Sequence, residues 1–312
     1  MIPEQIEGKT ILLSPLDWGL GHATRCITLI KILEKKNRIF LAGDGLSGAF
    51  LQREFPHLPY LSLPGIKVKY PENGNMVWSM LKQSSAFFRA IRKEHELTQK
   101  LIHEHQIDLV VSDNRYGVYG KEIPSVFITH QVFIKAGIWS KAINRINHRY
   151  ISKFDTLWIP DDETFPGLAG SLSHGKIMHP QTHYIGPLSD LKDLPYQSNA
   201  EKCDVLCLLS GPEPQRSIFE NALIHRFEKS NLKITFIRGT LQQKTFPSQF
   251  HVIDFATRTQ VKELMLNAEK IICRSGYSTI MDLHVLGKKA EFHPTPGQTE
   301  QMYLAQLQQS IS

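Results

Sequence analysis

Short apolar runs alternate with amphipathic, helix-like segments along this chain of 312 residues. The run Thr10–Ser14 is followed by a helical pattern over Ala23–Lys35, and Leu109–Ser112 and Lys270–Cys273 are further strand candidates. Strands that alternate with helices form parallel sheets that are covered by helices on both faces. The sequence therefore predicts an α/β protein.

The alternation occurs twice, and a polar segment separates the two halves. Residues 186–195 contain two prolines and interrupt the pattern, and a chain of this length is long for a single core. We therefore predict two doubly wound, Rossmann-like domains, one over residues 1–187 and one over residues 188–312. Because such folds bind ligands at the carboxyl ends of their strands, we expect the two domains to face a central cleft.

Composition is that of an ordinary soluble protein and gives little information on partners. Hydrophobic residues make up 41% and charged residues 21%, and the formal net charge is +6. A positive charge favours anionic partners, but the charges look scattered along the chain. Because a nucleic-acid-binding protein needs a concentrated basic and aromatic surface, we expect no nucleic-acid partner.

The expected localisation follows from targeting patterns and cysteine usage. The sequence has no signal-peptide pattern and no apolar run of about 18 residues. Its four cysteines form no CxxC pair, which is typical of small core residues in a reducing compartment. We expect a cytoplasmic protein, with at most peripheral contact at the inner face of a membrane.

A glycine loop with a histidine connects the first predicted strand to the first predicted helix. It contains Gly19, Gly21, His22, Thr24 and Arg25. Backbone N–H groups at such a helix N-terminus bind anions, and the helix dipole lowers the pKa of an imidazole there, which keeps it available as a general base. We predict His22 as this base. Two alternatives are a dinucleotide fingerprint that lacks its third glycine and a histidine that only caps its helix.

Asp113 follows a strongly apolar predicted strand. A carboxylate at the carboxyl end of a parallel strand faces the ligand crevice, where it can orient a general base and stabilise its protonated form. We predict this catalytic role for Asp113 toward His22. An Asx-turn that caps the following loop is the alternative, and His130, at the end of another predicted strand, is a weaker candidate.

The C-terminal half carries a second strand, tight turn and helix start over residues 273–279. Hydroxyls and free N–H groups in this turn can bind a diphosphate, and an acid one helical turn further on can accept hydrogen bonds from a ribose diol. Capping of the helix alone is the alternative. The predicted donor-binding residues here are Arg274, Ser275, Gly276, Ser278, Thr279 and Asp282.

Three further polar segments in the C-terminal half can border the same pocket. The first contains an arginine that can reach phosphate, and the last offers neutral amides and an acid to sugar hydroxyls. Polar helix capping is the alternative reading of the last segment. The predicted residues are Ser210, Gly211 and Arg216, then Arg238 and Gly239, and finally Gln298, Glu300 and Gln301.

A long helix is predicted over Met76–His105 and another over Phe133–Lys153. The first has an apolar face beside a row of cations, and we favour a helix packed on its own sheet. An acceptor-binding or membrane-surface patch is the alternative. The apolar residues are Trp78, Leu81, Phe88 and Ile91, and the cations are Lys82, Arg89, Arg92 and Lys93.

Together these segments resemble glycosyltransferases of the GT-B fold, especially the family 28-like group around the N-acetylglucosaminyltransferase of peptidoglycan synthesis and its uncharacterised bacterial relatives. The loop Gly19–Arg25 is similar to their N-terminal glycine loop, and Cys273–Gly276 with Thr279 and Asp282 is similar to their nucleotide-sugar signature. Residues 294–301 resemble the segment whose acid and glutamine contact the donor sugar. The first loop also resembles that of the nucleotide-sugar hydrolase of pseudaminic acid synthesis.

The sequence departs from the family pattern in three places. Asp282 stands where the family carries a glutamate, and Pro212 and Pro214 occupy a phosphate loop that is usually richer in glycine. The family also continues after the last predicted helix with a helix that crosses back to the first domain. We therefore expect that crossover helix to be missing from this chain.

The resemblance implies an enzyme that moves a sugar from a nucleotide-sugar donor, expected to be a UDP-sugar, to an acceptor. His22 would be the base and Asp113 its partner, and preorganised donors would replace a metal ion. We thus expect no metal and no cofactor apart from the donor substrate, and an unidentified, lipid-linked acceptor is one option. The alternatives are a hydrolase that uses the same site with water, and a non-catalytic nucleotide-sugar-binding protein.

Overall fold

The computed structural model describes residues 1–65, 84–177, 179–196, 202–240 and 244–311. Contacts divide the chain into two compact units, the first ending at Leu188 and the second beginning at Ser189. Each unit is built on a parallel sheet with helices between its strands. The predicted α/β fold class, with two Rossmann-like units, is confirmed.

The described strands of the first unit are β1 (Thr10–Pro15), β2 (Arg38–Gly43), β3 (Tyr60–Ser62), β4 (Leu109–Asp113), β5 (Ser125–Ile128), β6 (Thr156–Ile159) and β7 (Thr182–Tyr184). They form one sheet in the order β3-β2-β1-β4-β5-β6-β7, and all neighbours pair in parallel. The central strands are continuous apolar runs because both faces of the sheet are covered. In β1, for example, Ile11, Leu12 and Leu13 have no exposed surface.

The described helices of the first unit are α1 (Leu20–Leu33), α2 (Gly45–Glu54), α3 (Ser84–His105) and α4 (Ser140–Ile151). Helix α1 begins at Leu20 rather than at the predicted Ala23, so His22 lies in its first turn. The start of the predicted helix over Met76–His105 falls outside the described residues. Trp78, Leu81 and Lys82 therefore lie outside them too.

Helix α4 begins at Ser140, seven residues after the start of the predicted helix over Phe133–Lys153. The prediction was therefore wrong at the N-terminal end of this helix. The backbone N–H of Ile134 donates to Asn144 Oδ1 at 2.6 Å, and that of Ala136 donates to Ser140 Oγ at 2.8 Å. These side chains take up N–H groups that a helix would have used. A 3₁₀ turn over Gly137–Trp139 then leads into α4.

The second unit has strands β8 (Cys203–Leu208), β9 (Ile234–Ile237), β10 (Phe250–Ile253), β11 (Ala268–Cys273) and β12 (Glu291–Phe292), and helices α5 (Gln215–Phe227), α6 (Arg258–Asn267), α7 (Tyr277–Val285) and α8 (Thr299–Ser310). The described strands form a parallel sheet in the order β10-β9-β8-β11-β12. Apolar residues fill both faces of this sheet, and Phe236 and Ile272 are fully buried.

Strand order reverses at the centre of each sheet, where β1 lies beside β4 and β8 lies beside β11. Open α/β sheets bind ligands at such a switch point, outside the carboxyl ends of the strands. In the first unit this point joins the glycine loop to Asp113, which pairs with Pro15. In the second unit it joins the loop after β8 to the turn after β11.

The four cysteines are buried free thiols. Burial raises the pKa of Cys207 to about 12, so this thiol is protonated at neutral pH and packs as a small apolar residue. Within the described ranges, no helix combines the length and the apolar character that crossing a bilayer requires.

Candidate active site

The glycine loop of the first unit is held by α2. Gly19, the residue before α1, has φ +112°, a conformation that residues with a side chain rarely adopt. Its carbonyl accepts a hydrogen bond from Ser47 Oγ at 3.0 Å, and Asp17 Oδ1 accepts one from the Ser47 N–H at 2.9 Å. Thr24 Oγ1 donates to the Gly21 carbonyl at 3.0 Å, which closes the first turn of α1.

His22 and Asp113 meet at the switch point of the first unit, as their positions after neighbouring strands predict. Nδ1 of His22 lies 3.0 Å from Oδ2 of Asp113. The Asp113 side chain is buried, whereas 19% of the His22 side chain is exposed. The carboxylate thus contacts one ring nitrogen while part of the ring is open to solvent, which is the geometry that a general base requires.

Arg25 is the main partner of Asp113, a role that we did not predict from its place in the glycine loop. Its Nε lies 3.1 and 3.0 Å from Asp113 Oδ1 and Oδ2, and its Nη2 also donates to Oδ1. Nη2 lies 2.8 Å from His22 Nδ1. The signal was the spacing of His22 and Arg25, because residues three apart share a helix face.

Two further groups border this cluster. The Cys26 thiol lies 3.6 Å from Asp113 Oδ2, and Nη1 of Arg25 lies 3.4 Å from Nδ1 of His130. His130 is buried, so its place in the structure is beside Arg25. We name His22, Arg25, Cys26, Asp113 and His130 the acid–base cluster.

The electrostatics of the cluster favour an ionised carboxylate and a neutral imidazole. Burial alone would raise the pKa of Asp113, but the charges of Arg25 and His22 and their hydrogen bonds hold it well below its usual range. Burial and the Arg25 charge lower the pKa of His22 below 6.5, although Asp113 opposes this. Near neutral pH the cluster therefore pairs Arg25 with Asp113 and leaves His22 uncharged.

In the second unit, Arg274 is a buried arginine whose contacts are mainly with backbone carbonyls. It donates to the carbonyls of Gln215 at 3.0 Å, His293 at 2.9 Å and Pro294 at 3.0 Å. Its guanidinium lies 4.2 Å from the ring centre of Phe219. Burial lowers the pKa of Arg274 to about 10, so it stays charged at neutral pH and joins three loops at the carboxyl edge of the sheet.

The Ser275 hydroxyl, which we predicted to face a diphosphate, is fully buried and donates to the Gln301 carbonyl at 2.7 Å. The Gln301 side chain also has a partner within the protein, since its Oε1 accepts from the Thr295 N–H at 2.8 Å. The structure therefore directs both side chains toward the protein, and they fix the start of α8 against the turn after β11.

Asp282 lies on α7 as predicted, and its carboxylate is held by protein groups. Oδ1 accepts from Ser189 Oγ at 2.5 Å and from Arg258 Nη2 at 2.8 Å, and Oδ2 accepts from Arg258 Nη1 at 2.9 Å. Arg258 also donates to Asp190 Oδ1 at 2.8 Å. The carboxylate thus joins α7 to the start of α6 and to the segment that opens the second unit.

Arg216 and Arg238, both predicted near phosphate, converge on Glu220. Arg216 Nη1 and Arg238 Nε lie 2.9 and 2.8 Å from Glu220 Oε2, and Lys244 Nζ lies 2.8 Å from Oε1. Glu213 contacts Nε of Arg216, and Asp254 contacts Nη1 of Arg238. Burial would raise the pKa of Glu220, but the hydrogen bonds from these cations lower it to about 2. We call this set of six residues the Glu220 network.

The other predicted donor-binding residues lie in loops and first turns after the strands of the second unit. Gly276 precedes α7, Ser278 and Thr279 lie in its first turn, and Gln298 and Glu300 flank the start of α8. Ser210 and Gly211 follow β8, and Gly239 follows β9. Gly211 and Gly239 have φ +105° and +62°, values that favour glycine.

A separate surface of the first unit combines exposed apolar side chains with cations. Ile138 is 91% exposed, and Phe88, Trp139 and Ile146 are also exposed, while the Phe88 ring stacks on Tyr150 and so joins α3 to α4. Residues 84–93 and 135–153 contain no Asp or Glu. The exposed cations include Arg89, Lys93, Lys141, Arg145 and Arg149. Several exposed cations therefore lie together on this surface. We name this the basic helix surface.

We favoured a helix over Met76–His105 whose apolar face packs on its own sheet. In the described part of this helix, Ile91 is buried as that interpretation requires, whereas Phe88 is exposed.

In the part of the chain that the structure describes, no three His, Cys, Asp or Glu side chains are grouped so that they could hold a metal ion.

Comparison with known proteins supports one class. Residues 205–309 match the glycosyltransferase family 28 C-terminal domain. No protein of curated function matches the sequence significantly.

Several solved glycosyltransferases share the fold at low sequence identity. SnogD from Streptomyces nogalater matches with a TM-score of 0.62 and 13% identity over 97% of this chain and 85% of that chain. UGT2 from Phytolacca americana, solved with UDP-2-fluoro-glucose and pterostilbene, matches with a TM-score of 0.62 and 14% identity over 98% and 84%. The glycosyltransferase of kitacinnamycin matches with a TM-score of 0.63 and 13% identity over 97% and 84%.

The fold of the two units and the matching domain define a class of enzyme: this protein is a glycosyltransferase with the GT-B fold. The predicted enzyme class is thereby confirmed.

Proposed function

We propose that this protein transfers a sugar from a UDP-sugar, bound mainly by the second unit, to an acceptor hydroxyl that His22 deprotonates. The contact of His22 Nδ1 with the buried Asp113 carboxylate at 3.0 Å carries the proposal, because it leaves part of the imidazole open to a substrate. The family 28 match in the second unit supports the donor assignment. So does UGT2 from Phytolacca americana, which was solved with a UDP-sugar analogue.

In the reaction, the acceptor hydroxyl loses its proton to Nε2 of His22 as its oxygen attacks the anomeric carbon. The bond from that carbon to the diphosphate breaks, and the diphosphate leaves with the electron pair. This step uses the tautomer in which Nδ1 carries the ring hydrogen and donates it to Asp113, which then stabilises the imidazolium that forms. His22 starts neutral, since burial and Arg25 lower its pKa, so it can take the proton near neutral pH.

Negative charge on the leaving diphosphate needs stabilisation in the second unit. The N-terminus of α7 offers backbone N–H groups and the positive end of the helix dipole. This helix begins at Tyr277, and the space beside Gly276, the residue before it, is open. The buried guanidinium of Arg274 adds a full positive charge next to this turn. Fixed donors of this kind stabilise charge without reorganisation, and we therefore propose that turnover needs no metal ion.

Titration calorimetry with UDP, UDP-N-acetylglucosamine and UDP-glucose, with and without EDTA, tests the donor assignment. We expect saturable binding of UDP that EDTA does not change. Absence of binding to all three ligands would refute the uridine assignment, and loss of binding with EDTA would refute the metal-free site.

Turnover assays with His22→Ala separate the alternatives. An enzyme with His22 as base should lose about 10²–10⁴-fold in kcat while its affinity for UDP stays the same. Release of free sugar and UDP without any acceptor, at the rate seen with acceptor candidates, would instead identify the hydrolase. Donor binding without turnover in either protein would identify a non-catalytic binding protein.

We further propose that the acceptor is lipid-linked and that the basic helix surface contacts an anionic membrane at its inner, cytoplasmic face. Lys141, Arg145 and Arg149 are spaced by four on α4 and thus form one row. Exposed Ile138 and Trp139 precede them. Each cation near an anionic bilayer contributes about 1 kcal/mol, and exposed apolar side chains add to this when they enter the interface.

Vesicle sedimentation tests this part of the proposal. The protein should bind vesicles that contain phosphatidylglycerol and should bind pure phosphatidylcholine much more weakly. The triple variant K141Q/R145Q/R149Q should lose most of this binding, whereas K35Q/K176Q/K229Q, which removes three exposed cations elsewhere, should retain it. Equal loss in both variants would mean that overall charge, and not this surface, attracts the vesicles.

A further inference from the structure

Asp113 is a fully buried carboxylate, and a buried carboxylate stays ionised only beside a positive charge and hydrogen-bond donors. Two groups could supply the charge. One is Arg25, and the other is His22 in its protonated form. If His22 supplied it, the imidazole would be protonated before the acceptor arrives and would be unable to take a proton.

The geometry assigns the charge to Arg25. Its Nε contacts both oxygens of Asp113 at 3.1 and 3.0 Å, and its Nη2 donates to Oδ1. His22 reaches only Oδ2, through Nδ1 at 3.0 Å. Since Nη2 also lies 2.8 Å from Nδ1, a positive charge on the ring would face the guanidinium charge at close range.

The remaining neighbours do not alter this balance. On α1, the Cys26 thiol faces Asp113, and burial raises its pKa well above the usual value, so it is neutral. After β5, His130 lies beside Nη1 of Arg25. Among the described residues, the titratable groups that act on the pKa of His22 are Arg25 on α1, Asp113 on β4 and His130 after β5.

We infer that Arg25 is a positioning residue: its guanidinium neutralises Asp113 in advance, so that the carboxylate orients the His22 ring without charging it. A carboxylate beside a histidine raises the pKa of the imidazole and so favours its protonated form. With Arg25 present, Asp113 still orients the His22 ring, but the guanidinium charge opposes protonation of that ring before the acceptor binds. This inference rests on the proposed role of His22 as base.

The consequence is a definite pH dependence. In the wild type, kcat/KM, which reports ionisation of the free enzyme, should rise with pH through a pKa below 6.5 and then stay level, because His22 works when neutral. In Arg25→Gln, Asp113 keeps its charge and His22 becomes its counter-charge. The acid limb should therefore move up by about one pH unit or more. In Arg25→Lys the charge is kept, so the limb should stay near its wild-type position while kcat falls because one ammonium cannot hold both oxygens.

Nitrogen-15 NMR titration measures the pKa of the His22 imidazole directly, without turnover. The pKa of His22 should rise in Arg25→Gln and fall again in the double variant R25Q/D113N, which removes both charges and so avoids a lone buried carboxylate. Exposed Lys31→Gln on α1 is the matched control and should leave the titration unchanged. A reduced kcat with an unmoved acid limb and an unchanged His22 titration in Arg25→Gln would show a merely structural role and would overturn the inference.

The two proposals fail in different ways. If His22→Ala retains full transferase activity, the proposed function is wrong, and the NMR titration still decides whether Arg25 controls the ring. If His22→Ala is inactive but the titration of His22 is the same in wild type and in both Arg25 variants, the proposed function stands and the inference is wrong.

Discussion

The Glu220 network gives the most quantitative test of the second unit. Glu220 is buried on α5, and its two oxygens accept hydrogen bonds from Arg216, Arg238 and Lys244. The perturbation is Glu220→Gln, which keeps the size of the side chain and removes its charge. Because Arg216 and Arg238 retain Glu213 and Asp254 as partners, we expect the variant to fold with reduced stability.

The magnitude follows from the pKa of the carboxyl group. The ordinary value is 4.5, and the network lowers the pKa of Glu220 to about 2 in the folded protein. A shift of that size corresponds to about 3 kcal/mol of unfolding free energy, which is at the lower end of the cost of breaking a buried ion pair. Because the folded pKa is the lower one, this stabilisation is present above pH 4.5 and is lost as pH falls toward 2. Roughly 1 kcal/mol is lost by pH 4 and roughly 2 kcal/mol by pH 3.

Urea unfolding of wild type and Glu220→Gln at pH 7, 4 and 3 measures this. Circular dichroism follows both units, whereas fluorescence follows the first, because Trp18, Trp78, Trp139 and Trp158 all precede residue 188. The difference in unfolding free energy should be about 3 kcal/mol at pH 7 and about 1 kcal/mol at pH 3. A difference that is independent of pH would refute the reasoning, and Glu228→Gln on the exposed end of α5 is the matched control.

Two further predictions concern the glycine loop and Asp282. Gly19→Ala should cost about 1–3 kcal/mol of stability and lower kcat, because a φ of +112° strains any residue with a side chain even where no atom obstructs it. Gly276→Ala is the control, since Gly276 has φ −72° and is equally unobstructed, and it should leave the melting temperature unchanged. Equal shifts of the melting temperature in both variants would contradict this. Asp282→Asn should destabilise the ligand-free protein by about 1–3 kcal/mol, because Arg258 loses one buried carboxylate but keeps Asp190 as a partner. Denaturation without UDP measures this. Unchanged stability together with weaker UDP binding would instead indicate that Asp282 acts mainly on the ribose.

The order of strands and helices was predictable from the sequence because each is encoded locally. A buried parallel strand reads as an uninterrupted apolar run, as in Ile11–Leu13, whichever partners it has. The pairing of His22 with Asp113 was also predictable, since neighbouring strands of a doubly wound sheet end at one edge. The N-terminal end of α4 was not, because it depends on Asn144 and Ser140 binding the preceding loop.

The partners of the buried charges could not be read from the sequence. Arg258 meets Asp190 and Asp282 from distant parts of the chain, and no local pattern records such a meeting. The sequence predicted that Arg216 can reach phosphate. Here Glu220, four residues on, offers it a buried carboxylate.

The positions of these charges also indicate how the second unit can hold an anion. Ser275, Arg216 and Asp282 were all predicted to contact the donor through their side chains, and the structure gives each of them a partner within the protein. What these contacts fix is the backbone, since they lock the turn after β11 and the starts of α5 and α7. A diphosphate would then contact backbone N–H groups and the positive end of a helix dipole rather than flexible side chains. The buried guanidinium of Arg274, which contacts the carbonyls of Gln215, His293 and Pro294, would add a positive charge. Substitution of these side chains should therefore weaken donor binding through loss of loop order, and that loss should accompany a loss of stability in every case.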